Sequence, residues 1–211
     1  MTLLITLVGA SQRVSANSAR STKIRELASY LKTLAADEIE IAVHYLSGET
    51  PQGRIGIGYS TLRAAASSPP AQAGTLTLTE LDHALTTLAA IRGAGSTGRR
   101  AEALRNLFSR ATSDEQTFLL HLLVGELRQG ALAGAMVDAI AAASQVPVSQ
   151  IRRAVMYSKS LGAVASAALL EEAKALERFQ LEMFAPILPM LAQTAADVGE
   201  ALAQLGGEVE L

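Results

Sequence analysis

Apolar residues recur at three- and four-residue intervals along most of this chain, the period of a helix with one buried face. Leu4, Leu7, Val8 and Val14 set the pattern in the opening MTLLITLVGASQRVSA, and Ile24, Leu27, Leu31 and Leu34 repeat it within residues 18–35. A short helix over 37–46 opens on Asp37 and Glu38, whose charges suit a helix N-terminus. GETPQGRIGIG (48–58) is a glycine-punctuated loop, and the alternation of Ile55 and Ile57 predicts a short extended segment inside it. A helix over about 60–67 and a proline- and glycine-rich linker, SSPPAQAG (67–74), complete the first half.

The second half starts with Thr77-Leu-Thr-Glu80, a capping-box spacing that leads a helix to Ile91. GAGSTG (93–98) reads as a flexible loop, followed by helices over about 99–111 and 114–124, a second glycine turn, and an alanine-rich helix over 131–144. Pro147 starts the next helix, and residues 160–177 read as one more. Beyond them, FQLEMFAPILPMLA carries two prolines and a β-like start, then a short helix ending at Gly206-Gly207.

The two halves repeat each other. DEIEIAVHYLSGETPQG (37–53) aligns without gaps on DEQTFLLHLLVGELRQG (114–130), a shift of 77 positions with eight identities in seventeen. Unrelated sequence would give about one, so a single helical module has been used twice. Upstream, at the same shift, Ser18–Lys23 falls on Gly95–Arg100, and both segments are small, polar and basic and lead into a helix. Each module therefore has a basic helix start, two helices and a glycine turn.

Composition narrows the picture. The 211 residues contain no cysteine, no tryptophan and 49% hydrophobic residues, much of it alanine and leucine, which suits a small-residue helical core. Thiolate metal sites, disulfides and a cysteine nucleophile are excluded, and a reducing cytoplasm is the expected location. The first segment lacks the basic stretch of a secretory signal, and no run approaches the ~18 apolar residues of a membrane span. The net charge of −2 conceals an asymmetry, with +4 over residues 1–170 and −6 over 171–211.

Few residues invite catalysis. His44, His83 and His121 are dispersed, and the two repeated ones read as partly buried packing residues. Asp37/Glu38 and Asp114/Glu115 read as helix-start charges rather than acid–base pairs, and there is no phosphate-binding P-loop or metal-ligand cluster. The basic helix starts carry more. A helix N-terminus offers unpaired N–H groups to phosphate, and Gly48, Gly53, Gly125 and Gly130 let a backbone approach closely. Two such grips related by a repeat suit a ligand with its own approximate two-fold axis, as duplex DNA has. From the residues alone, this nucleic-acid reading and a packing-only role for the turns both stand open.

GSTGRRAEALRNLFSRATSDEQTFLLHLLVGELRQGALAGAMVDAIA (95–141) resembles the helical DNA-binding domain of bacterial, especially actinobacterial, ATP-dependent DNA ligases. The resemblance rests on Gly95-Ser96, the Leu107-Phe108 pair and Gly125-Glu-Leu-Arg128-Gln-Gly130, with Ser18-Ala-Arg20 and YLSGETPQGRIGIG agreeing in the first half. It implies an all-α fold of two pseudo-symmetric helical modules (about 1–68 and 77–175) with a short irregular or β C-terminal segment. The helical domain would span 1–175, and 176–211 would begin a nucleotidyltransferase domain. In the family a K-x-D-G motif supplies the adenylated lysine. Neither Lys159 nor Lys174 is followed by Asp-Gly two residues on, so the resemblance implies no catalytic residue in this chain. ATP and Mg2+ would serve the full-length ligase, with none held here.

The resemblance further implies docking on the minor groove of nicked double-stranded DNA, through backbone contacts, together with the catalytic domains of the same full-length chain. Replication, repair and recombination are the processes it suggests. The residues expected to touch DNA are Arg20, Ser21, Thr22, Lys23, Arg54, Gly95, Ser96, Thr97, Arg99, Arg100, Gly125, Arg128 and Gly130. Copy one has Pro51 where copy two has Arg128, which shifts its basic group to Arg54 and makes the second copy the stronger candidate. An all-helical protein-interaction domain is the competing expectation.

Overall fold

Thr77 and Thr112 each accept a hydrogen bond from the N–H three residues on, and the Glu80 and Glu115 carboxylates accept one in return from the Thr N–H, closing two capping boxes. Each such cap stabilises its helix by about 1 kcal/mol. They open α5 (Leu78–Ala90) and α7 (Ser113–Val124) within a chain of eleven α-helices among the described residues. The computed structural model describes residues 1–53, 55–127, 132–158 and 160–181. The first module contains α1 (Leu4–Ala16), α2 (Arg20–Leu31), α3 (Ile39–Leu46) and α4 (Tyr59–Ala66). The second contains α5, α6 (Ser96–Ser109), α7 and α8 (Leu132–Ser144), followed by α9 (Val148–Tyr157), α10 (Leu161–Leu170) and the single turn α11 (Glu172–Ala175).

The sequence shift survives in the helices. α2, α3 and α4 fall on α6, α7 and α8 when moved by 77 positions, and α1 falls on α5 at a shift of 74. The helices do not, however, stay with their own module. α2 packs most extensively on α8, and its counterpart α6 packs on α4, the counterpart of α8. Likewise α1 packs on α7 and α5 on α3. This is the exchange that a pseudo-two-fold axis produces. On that axis, Leu3 and Thr77 form an antiparallel bridge: Leu4 N–H donates to Leu76 O at 2.7 Å, and Leu78 N–H donates to Thr2 O at 3.0 Å.

The core is continuous across both modules and is built mostly of leucine and alanine. Leu4, Leu7, Val14, Leu27 and Leu31 are buried, so the heptad-like spacing did mark the inner face. Symmetry breaks at α10, which wedges against α3 and α8 where a strict repeat would bring α3 and α8 together. Gly162 makes this possible: a Cβ there would lie 2.7 Å from Glu40 Cγ and 3.0 Å from Glu40 O.

Five expectations are corrected. Residues 55–57 form no strand; Ile55 is buried in the core and Ile57 packs partly against it. The loop expected at 93–98 ends at Gly95, because Ser96 already begins α6. Residues 160–177 are not one helix: α10 stops at Leu170, and Arg178 folds back to within 2.9 Å of Glu171. His121 is exposed rather than partly buried, while His44 is largely covered by Ser160 at 3.2 Å. The β-like start expected from Phe179 is not a strand over 179–181, and the rest of that segment, with its prolines and the short helix expected after it, lies outside the described residues.

Candidate nucleic-acid interface

The two glycine turns are built alike. Gly48 and Gly125 both end a helix at φ +78°, a conformation that L side chains rarely adopt. Behind each, the glutamate N–H returns to the histidine carbonyl five residues earlier: Glu49 N–H to His44 O and Glu126 N–H to His121 O, both 2.9 Å. The turns also touch. A Cβ on Gly48 would lie 3.4 Å from Leu127 O and 3.5 Å from Leu127 Cβ. The repeated motifs thus abut one another.

The first turn is tied down by its own glutamine. Gln52 Nε2 donates to Asp82 Oδ1 at 2.8 Å and to Thr86 Oγ1 at 2.9 Å, which binds the loop to α5 of the other module. Tyr45 OH donates to the same Asp82 carboxylate at 3.3 Å, and burial followed by that nearby charge pushes the Tyr45 phenol well above its ordinary value.

Basic side chains of each helix start reach across to the other module. Arg20, the first residue of α2, places Nη2 2.8 Å from Asp138 of α8 and 3.3 Å from where a Gly134 Cβ would be. Arg100, in the first turn of α6, donates to Gly56 O at 3.2 Å and to Ile91 O at 3.1 Å. Sequence logic assigned each module its own basic start and its own glycine turn. The correction is that each grip is composite, because the helices have been exchanged. Three contacts between modules make up this composite band: the α2 start on α8, Gly48 on Leu127, and Gly56 on the α6 start.

Along that band, Ser21 is exposed and Thr22 and Lys23 are half-buried in the first turn of α2. Gly95 caps α6 at φ +72°, with Ser96 half-buried and Thr97 exposed behind it. Arg99 is turned back on its own loop, donating to Arg92 O at 2.8 Å and Ala94 O at 3.3 Å, so its first task is to hold the α5–α6 connection. Arg54, Arg128 and Gly130 lie outside the described residues. Two exposed side chains were missed: Tyr59, 56% exposed at the start of α4, and Arg152 of α9, which donates to Asp138 at 3.2 Å. The sequence offered no signal for Arg152, since it lies outside the repeat.

A groove beside the second turn, bordering Leu127, has a different character. Open and about 600 Å³ in volume, it is lined by Asp114, His121 and Glu126 together with Ser11, Gln12 and Ser15. Carboxylates of this density repel phosphate, so the basic band is the flank suited to a polyanion. Among the described residues no helix is long and apolar enough to cross a membrane.

Comparison with known proteins bears on what this band serves. Residues 63–141 match the family described as "DNA ligase N terminus". A "Probable DNA ligase" of Anaeromyxobacter dehalogenans is 49% identical over 211 residues, covering 99% of this chain and 41% of that relative. One of Mycolicibacterium gilvum is 47% identical over 208 residues, covering 97% and 40%, and one of Rhodococcus opacus is 44% identical over 205 residues, covering 97% and 41%. The chain therefore spans about two fifths of the length of these relatives.

Proposed function

This chain belongs to the DNA ligase N-terminus family, and we propose that it is the module by which an ATP-dependent DNA ligase grips nicked duplex DNA. The observation that carries the reading is the composite band. Two basic helix starts, two adjoining glycine turns and a second module related to the first by an approximate two-fold match the symmetry of two antiparallel strands. Contacts from helix N-termini, hydroxyls and guanidiniums go to phosphate and sugar, so they position the protein without reading sequence. A shallow band lined by glycine fits the sugar–phosphate edges of a minor groove. Arg20 is its clearest cationic arm, while Arg100 shapes the Gly56 loop that faces the second strand.

Nick sealing itself, with ATP and Mg2+ as cofactors, belongs in this reading to the rest of a ligase. The role here is to hold the substrate against those catalytic domains in replication, repair or recombination, in the cytoplasm. The test is fluorescence anisotropy with a nicked duplex across a salt series of about 50–200 mM, where each lost phosphate contact lowers the log–log slope by about 0.9. Arg20→Ala is expected to weaken binding severalfold and flatten the slope by about one contact. Absence of parent binding, or variants of Arg20 and Arg128 that bind like the parent, would defeat the proposal in favour of a protein-interaction role.

A further inference from the structure

We infer that Arg152 of α9 is a further DNA-backbone contact, held beside Arg20 by Asp138 acting as a positioning residue. The inference rests on the DNA-gripping reading above and extends its contact surface to a helix outside the repeat.

The geometry begins with helix packing. α8 packs against both α2 and α9, and Asp138 lies on α8 between Arg20 and Arg152. One carboxylate oxygen takes Arg20 Nη2 at 2.8 Å and the other takes Arg152 Nη2 at 3.2 Å. The carboxylate is the covered member of the set, with its side chain 20% exposed against 53% for Arg20 and 57% for Arg152. Each guanidinium carries five N–H donors, and Asp138 accepts one from each. The two forks thus stand side by side with most of their donors facing water.

Charge points the same way. Two arginines on one aspartate leave a net charge of +1, the complement of a single phosphodiester. Gly134, one helical turn before Asp138, carries no side chain, so the Arg20 guanidinium can lie against α8 at its start. In sequence, that start follows the second glycine turn. Fixing two long side chains before DNA arrives removes part of their ordering cost on binding.

A bare surface ion pair makes the opposite forecast for Asp138. Deleting an acid close to a polyanion ordinarily strengthens attraction; deleting a positioning acid weakens it. The experiment is anisotropy with nicked duplex in a salt series, on the parent chain, Arg152→Gln, Arg152→Lys and Asp138→Asn, each checked for folding by circular dichroism. If the parent does not bind, the functional reading falls and this inference falls with it. Given parent binding, Arg152→Gln is expected to bind about fivefold more weakly near 150 mM salt, with a slope lowered by about 0.9, while Arg152→Lys keeps the slope. Asp138→Asn is expected to bind at least about threefold more weakly. An unchanged slope for Arg152→Gln, or unchanged or tighter binding by Asp138→Asn, overturns the inference and leaves the functional reading standing. Should Asp138→Asn fail to fold, the exposed Arg152 variants still decide.

Discussion

Glu38 is 1% exposed, yet it remains the helix-start charge that its position before a hydrophobic run suggests. Burial opposes its ionisation, but the Thr2 hydroxyl, the Thr2 N–H and the Ala35 N–H all donate to it and together draw its pKa below the ordinary 4.5. Glu80, bonded by Thr77 N–H, by Arg110 at 2.6 Å and by the Thr77 hydroxyl, is drawn down to about 2. Groups with depressed folded-state values contribute fully above their unfolded pKa, and that contribution fades as pH drops from about 4.5 toward 2. Glu80 is exposed enough that water screens most of its share, so Glu38 should dominate. Glu38→Gln is expected to cost about 2–3 kcal/mol in urea unfolding at pH 7 and progressively less toward pH 2.5. The repeat made Glu38 and Glu115 look equivalent, and here the sequence misled. Among the described residues Glu115 Oε1 is buried without a hydrogen-bond partner, whereas both Glu38 carboxylate oxygens accept from Thr2.

Helix existence was legible wherever a 3.6-residue period ran unbroken, and the Thr77 cap was readable to the residue. Helix partners were not, because periodicity marks which face is buried and is silent about what covers it. α10 shows the difference. Its run LGAVASAALL has no polar face, and only packing reveals that Gly162 is where it crosses α3. Alanine normally improves a helix over glycine by about 0.5–1 kcal/mol. Gly162→Ala should do the reverse and lower stability by about 2 kcal/mol, because the new methyl meets Glu40 backbone at 3.0 Å, which cannot swing aside. Thermal melts of Gly162→Ala and of Gly98→Ala, whose Cβ would have open space, should move in opposite directions. At Gly48, with φ +78°, alanine should cost about 1 kcal/mol and disturb the contact with Leu127.

At the scale of the molecule, the repeat announced two modules, and the structure interleaves them. With α1 on α7, α5 on α3, α2 on α8 and α6 on α4, buried leucines of each module pack against the other. A module on its own would expose those faces to water. Residues 1–73 and 74–211 expressed separately should therefore lack a cooperative unfolding transition, while the two pieces produced together should regain helicity and melt as one unit. Two independent transitions in the intact chain would contradict this account. The same interleaving explains why the candidate band was only half legible. The basic starts and glycine turns could be found in the sequence, but which start faces which turn is decided by helix exchange.

The reciprocal bonds between residues 2–4 and 76–78 carry one more consequence. Equivalent segments that pair with each other in antiparallel fashion make an isologous joint, the kind two identical subunits form about a dyad. A tandem gene duplication of a homodimeric ancestor leaves that signature when a short peptide fuses the two copies. The proline-rich stretch at residues 67–74 separates the two copies along the chain, and Leu3 and Thr77 mark the joint where they meet.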